Sequence, residues 1–490
     1  MSSATTSVHE SFRGPVLRGL AWKTATRALF EISKLVVGIT LARLLTPVEY
    51  GVAGMVLVLV AFEPVLAGAA VASVLVQRPQ ITEDDRSTVF WTCVAMGFSA
   101  SAIGVVLSWP VARFYGQPGV QPLFAALSLC FAISSLGATQ THLLVREMSF
   151  RSLELRSMAG ALVGAGLAVG LAASGFGAWA LVAQPLGALT VSTLLLWVLS
   201  GWRPQLRWSR ASFRELRGFG GNVSGMLLLF QLNQNTDNVL VGRFLGAPAL
   251  GAYGLAYNVI LVPFSRLASP LHDVVYPVFT RVQDDLPRVA RVWLRAIRLL
   301  AAVAIPAMLG LVVAAPDLVD VVFGRRWHAA VPVMQILAWV GALYVVQGLN
   351  SVLLQALGRT RLLLGYALVS FAAGLGSFVL GLRWGIVGVA GCFAGVMTVI
   401  GPLYMTVTAR AAGVTGRDVW SALAGVVRAA VVTAVALTAL RIVLVHGGAT
   451  PALRLLAVAA AGTVVYCGAA CLLARDVVAE IPALLRRRRG

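Results

Sequence analysis

The sequence predicts an all-α polytopic membrane protein of about fourteen transmembrane helices, arranged as two parallel six-helix lobes plus two C-terminal helices. Three observations predict it. Of 490 residues, 59% are hydrophobic and 12% charged, with a mean hydropathy of +0.85, whereas soluble chains average about 45–50% apolar and about 25% charged. The apolar residues form continuous runs of the length that crosses a bilayer, not the ten-residue alternation of a membrane barrel. The second half also repeats features of the first at a nearly constant offset. These properties exclude a soluble enzyme and a disordered chain, and five cysteines in 490 residues exclude a disulfide scaffold.

Arg, Pro, Gly and acidic clusters cut the apolar runs into spans. They fall at 20–45, 50–77, 87–112, 121–145, 155–174, 178–200, 217–242, 250–279, 292–315, 331–357, 362–381, 386–409, 420–444 and 453–474. Residues 1–19 are then a cytoplasmic N-terminal segment, 20–202 an N-lobe of helices 1–6, and 203–216 a cytoplasmic linker. Residues 217–411 are a C-lobe of helices 7–12, 412–474 carry helices 13 and 14, and 475–490 are a basic cytoplasmic tail.

An even number of spans puts both termini on one side of the membrane, and basic residues decide which. Segments on the terminus side hold 28 of the 39 Lys and Arg, the opposite loops hold 8, and Lys34, Arg266 and Arg428 remain inside spans. The positive-inside rule therefore places both termini in the cytoplasm, with the chain crossing the membrane many times. The net charge of +20 is read as topology and not as affinity for nucleic acid. The first fifteen residues contain no apolar core with a cleavage site, so the first span is expected to act as its own uncleaved signal. Cys93, Cys130, Cys392, Cys467 and Cys471 all lie in apolar spans. Cys467 and Cys471 are i, i+4 neighbours without His or acidic company, so neither a metal nor another cofactor is expected.

The repeat is visible in residues. Ile39 to Met55 reads ITLARLLTPVEYGVAGM and Val239 to Leu255 reads VLVGRFLGAPALGAYGL, matching Arg43 to Arg243, Gly51 to Gly251 and Gly54 to Gly254 at an offset of 200. Asp84-Asp85 meets Asp284-Asp285 at the same offset, and at 210 Pro122 pairs with Pro332, Gln140 with Asn350, and Leu143-Leu144 with Leu353-Leu354. The offset carries an even number of spans, so the copies insert in the same orientation, the arrangement of a transporter whose two lobes rock about a central cleft.

Ionisable groups inside a span cost at least about 2.5–3.5 kcal/mol at mid-depth, so they face a partner or a wet cavity. Lys23, Arg27, Glu31 and Lys34 form one helical stripe. It is either a cationic track for an anionic headgroup, with Glu31 holding it together, or a self-neutralising ladder that only orients the helix. Gln231, Gln234, Asn235 and Asn238 share a face of the seventh span, with Asn233 and Asp237 beside them. Such amides suit either sugar hydroxyls or interhelical hydrogen bonds. The eighth span holds Arg266, a candidate anion contact or a partner of Asp273 or Asp237, among Pro263, Pro270 and Pro277, which kink the helix. Glu63, before Pro64, is a candidate coupling carboxylate alongside Glu31 and Asp237. No HExxH, GxSxG or GxxxxGK[ST] occurs, and His9, His142, His272, His328 and His446 are dispersed. With the longest outer segment running only from Pro316 to Ala330, no enzyme is expected.

The runs LARLLTPVEYG, LVQRPQITEDDRSTVFW, ARFYGQP, FGAWALVAQ, WRPQLRWS, NTDNVLVGRFLGAPALGAYGLAYNVILVPFSRLASPLHDVVYPVFTRVQDD and FGRRWHAAVP, in this order over residues 15–410, resemble one family. It is the polysaccharide transporter, or Wzx-like lipid-linked oligosaccharide flippase, family of the multidrug/oligosaccharidyl-lipid/polysaccharide exporter superfamily. The resemblance implies a MATE-like fold with a central cationic cavity and translocation of undecaprenyl-pyrophosphate-linked oligosaccharide to the outer leaflet. It supplies precursors of exopolysaccharide, O-antigen or capsule. The family's motif residues match at Arg43, Pro47, Gly51, Gln77, Asp237, Asn238, Gly242, Arg243, Leu245, Gly246, Gly251 and Tyr253. The Arg43 and Arg243 turns read as helix-end caps as much as functional groups. After residue 411 the match is weak.

The chemistry of the residues agrees with this resemblance. Lys34 and Arg266 suit the pyrophosphate, and Gln231, Gln234, Asn235 and Asn238 suit the sugars. The expected partners are the lipid-linked oligosaccharide, membrane lipids and a polysaccharide polymerase or export machinery, with no nucleic acid. A multidrug/cation antiporter, a lipid II flippase, and a membrane polysaccharide polymerase or ligase are the alternatives.

Overall fold

The computed structural model describes residues 33–281 and 284–475, with side chains outside 215–224, 261–275 and a few neighbouring positions. It divides into two units, Met1–Leu232 and Asn233–Gly490. The described residues of both are helices joined by turns and short irregular stretches such as 200–209. Unit 1 contains α1 (33–44), α2 (Pro47–Leu66), the short α3 (Ala69–Ala72) and α4 (Val74–Gln77), α5 (Glu83–Tyr115), α6 (Val120–Arg146), α7 (Phe150–Ala173) and α8 (Ala178–Leu199). Helix α9 (Arg210–Leu245) runs across the unit boundary. Unit 2 continues with α10 (Ala247–Arg281), α11 (Leu286–Leu318), α12 (Val331–Ala356), α13 (Thr360–Gly381), α14 (Gly385–Ala411), α15 (Gly416–His446) and α16 (Pro451–Leu473).

The predicted spans fall on helix wherever they lie on described residues, apart from span ends and the breaks within 50–77. Ten stretches among them are long and apolar enough to cross a membrane, one of which, Thr360–Ala411, contains both α13 and α14. Two details differ from expectation. The span 50–77 is broken into α2, α3 and α4 because Gly68 takes φ +84, where a Cβ would fall 2.8 Å from Cys93 Sγ. The expected outer loop from Pro316 is also not irregular. Helix α11 continues to Leu318, followed by a π turn at Val319–Phe323 and a 3₁₀ helix at Arg325–Ala330.

One packing scheme occurs twice. In unit 1, α5 packs on α6, α7 on α8, α6 on α8, and α2 on both α6 and α8. In unit 2, α11 packs on α12, α13 on α14, α12 on α14, and α10 on both α12 and α14. The helices at the centre of each scheme, α6 and α12, are the most buried of the membrane-capable stretches. Between α5 and α6 the contact is made by small residues. A Cβ on Gly97 would lie 2.4 Å from Ser135 Cβ, and one on Gly104 would lie 2.3 Å from Ser128 Oγ. Ser101 Oγ donates to the Ser128 carbonyl at 2.8 Å and accepts from Ala132 N at 3.0 Å. Lipid supplies no hydrophobic drive for helices to associate, so this close approach and its hydrogen bonds hold the pair. Gly97→Val is expected to lose about 1–3 kcal/mol through overpacking, seen as an earlier thermal midpoint in detergent.

Helices α15 and α16 join unit 2 through α11. Phe279, Trp293, Ile297, Leu353, Leu423 and Val426 belong to the apolar core they share, and the Tyr466 hydroxyl donates to the Ala302 carbonyl at 2.6 Å. Charged groups add to this. Asp317 of α11, 1% exposed, meets Arg441 Nε of α15 at 2.6 Å and Arg454 Nε of α16 at 2.8 Å. The Arg441 contact is an aligned hydrogen bond, whereas Arg454 makes an ion contact whose geometry fails hydrogen-bond alignment.

Candidate functional site

Each unit holds a carboxylate site within its helices that is separate from the Asp317 ion pairs. In unit 1 this is Glu63 of α2, preceding Pro64. The Ser134 hydroxyl of α6 donates to it, and Arg156 of α7 interacts with it electrostatically. Gln231, near the unit 1 end of α9, donates its side-chain amide to the Ala61 carbonyl, two residues before Glu63. Unit 1 thus collects a carboxylate, a cation, a hydroxyl and an amide from α2, α6, α7 and α9.

In unit 2 the carboxylate is Asp237 of α9, 5% exposed. The Tyr253 hydroxyl of α10 donates to Asp237 Oδ2 at 2.9 Å, and Asn238 N donates to Oδ1 at 2.8 Å. Asp237 lines a cavity of about 100 Å³ together with Gln234, Tyr257, Tyr344, Ser370 and Phe393. A water occupies about 30 Å³ in the liquid, so this space holds a few waters or a small cation and excludes a sugar chain. Among the described residues no basic side chain lines it.

Of the residues singled out from sequence, Gln234 and Asp237 share the unit 2 cavity wall, while Gln231 belongs to the unit 1 group. Asn235 and Asn238 are half-buried, Gln234 is exposed at the cavity, and Lys34 is exposed on α1. Glu31, Lys23 and Arg27 lie outside the described residues, as does the side chain of Arg266. Arg43 and Arg243 are exposed at matching corners, where α2 begins at Pro47 and α10 at Ala247, and Gly51 and Gly251 are buried one turn later. At the first corner Thr46 and Glu49 form a capping box, Thr46 N donating to Glu49 Oε2 at 2.7 Å. Gln140 and Asn350, paired by the repeat, are both fully buried, with side-chain amide atoms that meet no hydrogen-bond partner.

Sequence reasoning missed Arg156, which counts among the loop cations of the charge tally but sits half-buried on α7. It also missed Tyr257, Tyr344 and Ser370. The i, i+4 spacing of Tyr253 and Tyr257, which puts both hydroxyls on one face, is the signal that points to them.

The sequence model of a family described as polysaccharide biosynthesis protein matches residues 40–332. Lipopolysaccharide biosynthesis protein WzxC of Escherichia coli (strain K12) is 28% identical over 355 residues, 71% of each chain. Teichuronic acid biosynthesis protein TuaB of Bacillus subtilis (strain 168) is 26% identical over 382 residues, 75% of this chain and 78% of the relative. Succinoglycan biosynthesis transport protein ExoT of Rhizobium meliloti (strain 1021) is 27% identical over 366 residues, 75% of this chain and 74% of the relative. Among solved structures, the lipid II flippase MurJ in an inward closed conformation superposes with a TM-score of 0.74 at 13% identity, covering 92% of this chain and 100% of that one. An inward-facing multidrug resistance MATE family transporter gives 0.61 at 15% identity, covering 78% and 94%. At these identities the structural likeness establishes a MATE-like all-α fold and nothing more.

Proposed function

The chain belongs to the polysaccharide biosynthesis protein family matched over residues 40–332, and we propose that it flips undecaprenyl-pyrophosphate-linked oligosaccharide across the bacterial cytoplasmic membrane by alternating access. It is an integral membrane protein of polysaccharide biosynthesis, a transporter and not an enzyme, with both termini in the cytoplasm. The recurrence of one packing scheme in two units, each with its own carboxylate site, carries this reading. Two similar halves give a two-state element, and a group titrating in either half biases it.

The substrate has three chemically distinct parts. Its pyrophosphate needs cations, assigned to Lys34 and Arg266. Its sugars need multidentate amides, assigned to Gln231, Asn235 and Asn238, while Gln234, on the wall of the small unit 2 cavity, goes with the ion. Its polyprenyl tail stays in lipid. Glu31, Glu63 and Asp237 are the candidates for coupling transport to an ion gradient. Because the unit 2 cavity is too small for a sugar, Asp237 serves the ion and not the glycan. The product goes to a polymerase or export machinery outside.

A strain deleted for this chain is expected to lose surface polysaccharide and accumulate lipid-linked oligosaccharide in the inner leaflet, and the wild-type chain is expected to restore export. Arg266→Ala and Lys34→Ala are each expected to abolish that rescue; full export by both removes the cation clamp. Depletion that causes lysis, with surface polysaccharide unaffected, identifies lipid II as the substrate instead.

A further inference from the structure

We infer that unit 2 contains a proton path, a ladder of tyrosine hydroxyls leading from Asp237 through Tyr257, Tyr344 and Tyr366 to Tyr404. The inference rests on the reading of Asp237 as a coupling carboxylate and goes beyond it by naming the ion and its route.

The depths of the residues show the ladder. Helices α9 and α13 end, and α10, α12 and α14 begin, on one side of the unit. At 1.5 Å per residue from those ends, Tyr253 lies about 9 Å in, Asp237 about 12 Å and Tyr257 about 15 Å. Tyr344 follows at about 20 Å, Tyr366 at about 23 Å and Tyr404 at about 29 Å. Five helices, α9, α10, α12, α13 and α14, therefore contribute one descending series that covers about 20 Å, some two thirds of the hydrocarbon core.

The links between these groups are described in turn. The Tyr253 hydroxyl is bonded to Asp237 at 2.9 Å, and the Tyr253 and Tyr257 rings are 6.4 Å apart. Tyr257, Tyr344 and Ser370 line the same cavity as Asp237, which has room for a few waters. Tyr344 lies within electrostatic reach of both Tyr257 and Tyr366. The Tyr366 hydroxyl donates to Gln347 Oε1 at 3.2 Å, and its ring stacks on Tyr404 with centroids 3.5 Å apart. Ser370 interacts with the Tyr366 hydroxyl, and at the far end of this stretch the buried Tyr404 Oη meets no hydrogen-bond partner, although such groups are ordinarily satisfied. It is free to receive a proton-carrying neighbour.

A hydroxyl accepts a proton on one lone pair while releasing its own, so a chain of them passes a proton without net chemical change. The excess proton ends on the Asp237 carboxylate or leaves from it. Among the described residues the titratable groups facing Asp237 are Tyr253, Tyr257 and Tyr344, while α13 and α14 contribute Ser370, Phe371, Phe393 and Met397. Among the described residues the lining's one carboxylate stands with hydroxyls and an amide that bind water or a small cation alike, so the sodium-free buffer of the test separates a proton from a metal ion.

The test is proton uptake by the full chain in proteoliposomes loaded with a pH-sensitive dye, driven by a valinomycin-set potassium potential in sodium-free buffer. Wild type is expected to take up protons and Asp237→Asn to fall to the protein-free rate. Tyr344→Phe, Tyr366→Phe and Tyr404→Phe keep their rings but lose the hydroxyl, and each is expected to slow uptake at least tenfold with an unchanged melting temperature. Tyr466→Phe, in the same unit but off the ladder, is expected to match wild type. Wild-type uptake by Tyr344→Phe and Tyr366→Phe, with Asp237→Asn inactive, overturns the ladder and leaves Asp237 standing. Uptake by Asp237→Asn overturns both, as does a wild type that takes up protons only with sodium present.

Discussion

Asp317→Ala is expected to destabilise the protein more than any other single substitution outside the membrane-facing apolar core, by about 3–5 kcal/mol. The carboxylate is 1% exposed and shared by Arg441 and Arg454, whose side chains are 27% and 16% exposed. Removing it leaves two guanidinium groups facing each other with no counter-charge. The cost is the stranding of those charges, and it falls on the attachment of α15 and α16 to α11. Thermal unfolding in detergent checks the magnitude, and faster protease cleavage between α14 and α15 checks the location. Asp317→Asn retains a carbonyl acceptor for Arg441 and is expected to lose less. Combining Asp317→Ala with Arg454→Ala is expected to recover part of the loss, because one stranded charge is gone; a double variant as unstable as the sum of the singles shows that the pair is not coupled.

Glu63→Gln is expected to reduce polysaccharide export at least tenfold while leaving the protein folded. The amide occupies the same space and still accepts from Ser134, so packing is preserved and only the titratable charge opposite Arg156 is lost. Ser134→Ala removes a single hydrogen bond worth about 1 kcal/mol and is expected to leave most export intact. Expression and melting temperature measured alongside export separate the two effects. Full export by Glu63→Gln excludes Glu63 as the coupling group.

The membrane fold was legible because it depends on quantities a single sequence carries. Apolar run length marked the long helices among the described residues. The 200 and 210 offsets anticipated the matching corners at Arg43 and Arg243 and the twin buried amides Gln140 and Asn350. The sites were legible only in part. Glu63 and Asp237 stood out because a carboxylate in an apolar span is costly wherever it sits. Their neighbours did not stand out. Arg156 is indistinguishable in sequence from the topology-setting cations, and a Tyr in a hydrophobic helix reads as ordinary core until another helix brings a second hydroxyl to it. The continuation of α11 beyond Pro316 was hidden for a related reason, since Asp317 looks like a loop residue until Arg441 and Arg454 arrive from more than a hundred positions downstream. Contacts across such separations depend on tertiary arrangement, on which local pattern is silent.

The duplicated packing scheme also bears on how the chain is made. Helices α2 and α5 to α8 find their main partners among themselves, and α10 to α14 do likewise. Newly synthesised helices leave the ribosome in order, at about 5–20 residues per second, so the first five can close their mutual contacts before α10 emerges. The exposed small-residue surface of α5, for example, waits only for α6, its immediate successor. Each half is thereby spared a long interval with polar groups such as Glu63 or Asp237 uncovered in lipid. Duplication of a unit that completes itself in this way lengthens the protein without lengthening the time any one helix waits for its partner.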